Sequence, residues 1–301
     1  MLNSTLRNGT IALTLFAAAL LQPALGADTG PIVIYKKDVR LNTNFAWERW
    51  GNFINATPGD GKEIPYDAAR LQARVYAFPS GEIRVINFDK KVRTHDHVNM
   101  TDTILYTWTG RRVQFVNDQA AVNRPGDAAF HPKGVFHHGE AIETGKGIEF
   151  AMYVDKVQTE PQATWITGAS RPFEPATIWM DNGKVQELLG TAAANTPAQA
   201  AHFEVRTFDF SPWYVARELR IPRGASLPML GPKDRLMFVL DGKVSVASNN
   251  GSWELTQEDA ARAPADQLLT LNALEDSRIL EAYVPAKVAA KPAAAAAPKP
   301  R

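Results

Sequence analysis

The sequence predicts an all-β molecule made of two similar lobes joined by an irregular segment. Three observations carry this. Short runs of alternating apolar and polar residues recur along most of the chain, with turn residues between them. Twenty glycines and twenty prolines are scattered among those runs, as many tight turns require. The chain also matches itself at an offset of 132 residues.

The elements follow in order. Residues 1–26 read as a secretory leader: Arg7 gives a basic start, residues 11–21 are apolar except Thr14, and the small residues Ala24 and Gly26 precede a cleavage point at Ala27. The run is too short to span a bilayer, so the expectation is a periplasmic or extracellular protein, free of the membrane once the leader is removed. Residues 44–54, with Trp47, Trp50 and Phe53 at helical spacing, predict a short helix. Residues 73–78 and 82–88 flank Pro79-Ser80-Gly81 and predict a hairpin. Strands are expected at 92–99, 103–109, 112–116 and 148–154, which closes a first domain over 31–158. Residues 159–203 read as an interdomain segment with a short helix at 184–189. Strands at 204–210, 213–221, 235–240, 243–247 and 278–284 make a second domain over 204–285. The Ala/Pro/Lys stretch 286–301 cannot bury a core and reads as a disordered tail.

The repeat ties the two domains together. Asp102-Thr-Ile-Leu-Tyr-Thr-Trp-Thr-Gly110 falls on Asp234-Arg-Leu-Met-Phe-Val-Leu-Asp-Gly242, and Gly126-Asp127-Ala128-Ala129 falls on Glu258-Asp259-Ala260-Ala261 at the same offset. Two blocks aligned without a gap read as two copies of one β-unit.

Charge excludes some functions. The chain has 33 basic and 32 acidic side chains, and Arg7 leaves with the leader. That balance gives no electrostatic case for nucleic acid or for an anionic membrane surface. With no cysteine, disulfides and a lipoprotein anchor are excluded.

Histidine placement points to chemistry. Five of the six histidines lie between positions 95 and 138. In His95-Asp96-His97 the two imidazoles are two residues apart, so on a strand they share a face and can meet one ion. Forty residues on, His137 follows Pro132-Lys-Gly134 and can complete a three-nitrogen set. Imidazole suits Fe, Ni, Cu and Zn, and an open coordination face marks a catalytic site.

His-x-His, then a strand ending at Gly110, then Pro-x-Gly-x-x-His, resembles the paired motifs of the cupin superfamily. The resemblance implies two jelly-roll β-barrels in tandem, a bicupin, with one metal in the first. It implies His95, His97 and His137 as ligands. Cupins usually add a glutamate; Asp102 stands at that place counted from His97, and Thr103 counted back from Gly110. The fourth ligand is therefore either Asp102, re-aimed by a bulge, or absent. In the second copy, His95, His97 and His137 correspond to Leu227, Met229 and Leu269, so the C-terminal lobe is expected to be empty of metal.

Weaker candidates surround the motif. Arg93 and Glu140 could serve acid/base or carboxylate-binding roles. His138 should face the opposite side of its strand. His131 could orient the site but reads better as solvent-exposed, and Tyr106 and Trp108 read as core. The resemblance implies a metal-dependent enzyme acting on a small molecule, with Fe(II) dioxygenase chemistry foremost and Mn, Ni, Zn or Cu as other ions. The alternatives are a lyase, isomerase or decarboxylase using the ion as Lewis acid, and a non-catalytic periplasmic metal- or ligand-binding module. A homodimer is compatible with either.

Overall fold

The structure, a computed structural model, describes residues 31–42, 71–94, 97–99, 101–117, 119–152, 164–190, 196–211 and 213–285. The leader, the helix expected over 44–54, His95 and the C-terminal tail lie outside the described residues.

The described residues are almost entirely β. In chain order the N-terminal strands are β1 (Ile32–Ile34), β2 (Leu71–Phe78), β3 (Gly81–Phe88), β4 (His97–Val98), β5 (Thr103–Thr109), β6 (Arg112–Val116), β7 (Gln119–Asn123), β8 (Ala128–His131), β9 (Phe136–Ala141), β10 (Gly145–Met152) and β11 (Thr164–Ile166). The C-terminal strands are β12 (Glu174–Asp181), β13 (Lys184–Leu189), β14 (Ala201–Phe210), β15 (Tyr214–Ile221), β16 (Ser226–Met229), β17 (Arg235–Asp241), β18 (Lys243–Ser248), β19 (Gly251–Thr256), β20 (Ala260–Ala263), β21 (Leu269–Ala273) and β22 (Ser277–Tyr283).

Each lobe is a jelly-roll sandwich. In the N-lobe a six-stranded sheet, β11-β8-β5-β10-β3-β2, faces a four-stranded one, β4-β9-β6-β7. In the C-lobe an eight-stranded sheet, β1-β20-β17-β22-β15-β14-β12-β13, faces β16-β21-β18-β19. The lobes exchange arms. The N-terminal strand β1 pairs with β20 of the C-lobe, and β11 returns to pair with β8 of the N-lobe.

Two expectations are corrected. Residues 184–189 are not a helix but β13, antiparallel to β12. Between them Asn182 and Gly183 both have positive φ, 48° and 76°, the two-residue hairpin turn that Asn-Gly favours. That turn and the pairing override the helix propensity of Lys-Val-Gln-Glu-Leu-Leu. Among the described residues of the strand expected over 92–99, only His97–Val98 is strand, and Arg93 forms an isolated bridge to Glu140.

The 132-residue repeat holds at the level of single bonds. Thr107 N–H donates to Asp127 O in the N-lobe, and Val239 N–H to Asp259 O in the C-lobe. Asp127 accepts from the amides of Arg124 and Gly168, as Asp259 does from those of Thr256 and Lys36. Gly168 and Lys36 belong to the two exchanged arms, so the same aspartate anchors an arm in each lobe.

One face of each large sheet packs against the other lobe. Tyr76, Phe130 and Phe150 from the N-lobe meet Phe208, Phe238 and Leu280 from the C-lobe in a continuous apolar layer. The other face lines each lobe's own interior, and here the lobes differ. The C-lobe is filled by Leu219, Leu227, Met229, Val244, Val246, Leu269 and Leu271, among others. Among the described residues the N-lobe interior has a small apolar cluster of Leu71, Ala73, Ile86, Phe88, Val92 and Ala141.

Candidate metal centre

Polar residues take the place of apolar filler inside the N-lobe. At the repeat offset, Arg112 stands where the C-lobe has Val244, Gln114 where it has Val246, Asn123 where it has Leu255, and His131 where it has Ala263. All four N-lobe side chains are buried. Burying an aliphatic side chain contributes about 1.5–3 kcal/mol. The N-lobe forgoes that stabilisation at several positions, as functional interiors do. The result is a cleft lined by His97, His131, His137, Arg112, Gln114 and Glu149 with Leu71, Ile86, Phe88 and Val92.

Strand register brings the histidines together. His97 on β4 lies directly opposite His137 on β9, and their rings are 4.3 Å apart between centroids. His131, the last residue of β8, puts its ring 4.6 Å from that of His137. His137 Nδ1 lies 3.0 Å from the backbone oxygen of Val135. A proton on Nδ1 donates to that oxygen, which makes Nε2 the acceptor nitrogen of the ring, the tautomer a metal ligand needs. His131 is 2% exposed, and neither ring nitrogen has a hydrogen-bond partner. Burial, with His137, Arg112 and His97 nearby, holds its pKa well below the usual histidine value, so the ring is neutral. The expectation that His131 faces solvent is thus corrected. Its strand, Ala128–His131, is only four residues long, too short for alternation to show in the sequence. Phe130 of β8 goes to the layer between the lobes, and alternation sends His131 inward.

Asp102 is placed differently. It is buried, and its Oδ1 accepts from Lys133 N–H at 2.7 Å. At the repeat offset Asp234 Oδ1 accepts from Ala265 N–H at 2.8 Å in the lobe that lacks the motif histidines. The same bond in both copies is a tie between a strand start and the turn before the next strand. Burial raises the Asp102 pKa, offset by the Lys133 amide and charge. Thr103, the other residue at the glutamate position, accepts a 2.8 Å hydrogen bond from Asn99 Nδ2 and lies opposite His131 in the β5–β8 register.

The remaining candidates lie around this centre. Glu140 lines the mouth and is exposed, opposite the half-buried Arg93. His138 stacks on Phe115 with centroids 4.3 Å apart. Tyr106 belongs to the layer between the lobes, where its hydroxyl donates to Glu218. Trp108 packs edge-on against Phe238 in the same layer. Among the described residues no three His, Asp or Glu side chains converge on one ion position. His95, the partner expected two residues before His97, is outside them.

No family model and no curated protein matches the chain at the level of sequence. Solved structures do. AerE from Microcystis aeruginosa superposes with a TM-score of 0.56 at 15% identity, covering 74% of this chain and 96% of that one. The protein Ylba from E. coli gives 0.52 at 13%, covering 83% and 93%. Oxalate decarboxylase from Bacillus subtilis, a protein with Mn(II) centres, gives 0.52 at 13%, covering 72% and 73%. The fold is that of the cupin superfamily. Its two barrels stand in tandem, and the motifs read from sequence as cupin motifs fall on β4, β5 and the turn between β8 and β9. Identities this low speak for the fold, while function is argued from the cleft.

Proposed function

We propose that the N-lobe cupin cleft holds one divalent metal ion and that the protein is a metal-dependent enzyme acting on a small molecule. The observation that carries this is the pairing of His97 with His137 beside the buried, partnerless His131 at the inner end of a polar cleft. A buried imidazole with two unmet nitrogens costs stability unless something binds it. Neutral imidazoles are good donors for divalent transition metals.

In this reading His97 and His137 hold the ion together with His95, two residues before His97 in the sequence. His131 stands across from Thr103, where the cupin pattern carries glutamate, and supplies a nitrogen donor there instead. Asp102 is left out of the donor set because Lys133 occupies it. Bound metal would supply Lewis acidity or redox chemistry. The chain's own residues do the rest: Val135 fixes the His137 tautomer, the apolar wall of Leu71, Ile86 and Phe88 limits water, and Glu140 at the mouth can exchange a proton. An all-histidine donor set favours Fe(II) and dioxygen chemistry, in keeping with the sequence resemblance. The Mn(II) of the structurally similar oxalate decarboxylase favours the decarboxylase alternative.

Metal analysis of the full chain with single substitutions tests the reading. His97→Ala and His137→Ala should each abolish metal retention, and Met229→Ala, at the matching place in the C-lobe, should leave it intact. Retention by both histidine variants would end the proposal.

A further inference from the structure

Arg112 is a charged side chain built into the cleft with one edge of its guanidinium hydrogen-bonded to no group of the protein. It is 6% exposed and lines the cleft with the histidines. Its Nε and Nη2 are buried and have no hydrogen-bond partner. These two nitrogens form one edge of the guanidinium, the fork whose paired N–H groups match the two oxygens of a carboxylate. Glu149, the acidic residue whose charge acts on Arg112, is bonded through Oε1 to Arg84, which also holds Glu82.

Two neighbours lie close to the guanidinium. Its centre lies 5.4 Å from the Phe88 ring centroid. It also lies against Gly147, where a β-carbon would come 3.0 Å from both terminal nitrogens. The C-lobe position that matches Gly147 is Ile279, and the one that matches Arg112 is Val244. Both residues therefore differ together from the empty lobe: the arginine, and the glycine that makes room for it. Gln114, two residues along the same strand, is buried with Oε1 unpartnered and gives the cleft a second polar contact.

We propose that the Nε–Nη2 edge of Arg112 receives a carboxylate of the molecule bound in the cleft, making this a site for small organic acids. The proposal rests on the reading of the cleft as a binding site. It selects the ligand class by matching donors that the protein leaves unmet in its interior.

The test uses the full chain and calorimetric titration with acetate, pyruvate, oxalate, succinate and benzoate, alongside acetamide, pyruvamide and benzamide as neutral counterparts. At least one acid should bind saturably while its amide does not. Arg112→Gln should weaken that acid by about 10- to 150-fold, the range for a lost hydrogen bond to a charged group. Arg112→Lys, which keeps the charge but not the fork, should fall between. Wild-type arginine Nε–H resonances followed by NMR give a readout that needs no variant: one buried signal should move on saturation with the acid. Equal binding by acid and amide, unchanged binding in Arg112→Gln, or no acid binding at all would overturn the proposal. Because the titration can be run without metal, acid binding at Arg112 can survive a failure of metal binding, and the reverse, so the two readings fail separately.

Discussion

Single residues carry most of the difference between the two lobes. Asp102 and Asp234 show what stays constant: each ties the start of a strand to the turn before a later strand through one backbone amide. Asp102→Ala should therefore lower stability by about 1–3 kcal/mol, the cost of leaving the Lys133 amide buried without an acceptor, and leave metal content unchanged. Chemical denaturation together with metal analysis checks this; loss of metal at unchanged stability would return Asp102 to the donor set. His97, His131, His137, Arg112 and Gln114 show what differs. His97 and His137 were legible because paired motifs placed them. His131 and Arg112 were not, because no motif marks them. What marks the interior of the site is that polar residues stand at the places of Ala263, Val244 and Val246 in the other copy.

At the scale of elements, alternation and turn residues disclosed most of the fold. The hairpin around Ser80-Gly81 and the strands at 103–109 and 112–116 lie where the sequence placed them. Short or interrupted strands did not announce themselves, since four residues such as Ala128–His131 give period-two patterning little room to show. The exchanged arms β1 and β11 were invisible because their partners are fixed by long-range pairing. The turn after β5 depends on Gly110, which has φ +73° and no room for a side chain: a β-carbon would sit 2.6 Å from the Thr144 carbonyl oxygen. Gly224 has φ +85° but open space around it. Gly224→Ala should cost about 1–2 kcal/mol for the left-handed backbone alone, and Gly110→Ala clearly more. Urea denaturation of the pair separates them; equal losses would mean that the close approach to Thr144 relaxes freely.

The whole molecule is held by the layer between lobes and by two buried carboxylates at that layer. Glu218, fully buried, bonds Tyr106 of the N-lobe, Arg206 and Arg278. Glu258 meets Lys146, Lys36 and Arg74. Burial alone would raise both carboxylates, yet these cations hold them below the ordinary value of 4.5. A depressed folded pKa means that the stabilisation is complete above about 4.5 and is lost as pH falls through the lower folded value. The neutral, buried His131 adds a loss that begins nearer 6.5, and Asp102, raised by burial, works in the opposite sense. Glu218→Gln isolates the carboxylate. It should destabilise the neutral protein by about 3–5 kcal/mol, since two arginines lose their buried partner. It should also flatten the decline below pH 4.5. Melting temperatures of both proteins across the acid range check this, and an unchanged slope in the variant would remove Glu218 from the account.

In the proposed function one of the two jelly-roll lobes holds a metal and the other does not. Anomalous diffraction from crystals of the full chain grown with Fe(II) or Mn(II) tests it most directly. One peak per chain is predicted, in the N-lobe, about 2.0–2.2 Å from His137 Nε2 and within reach of His97. A second peak inside the C-lobe, or none at His137, would contradict it.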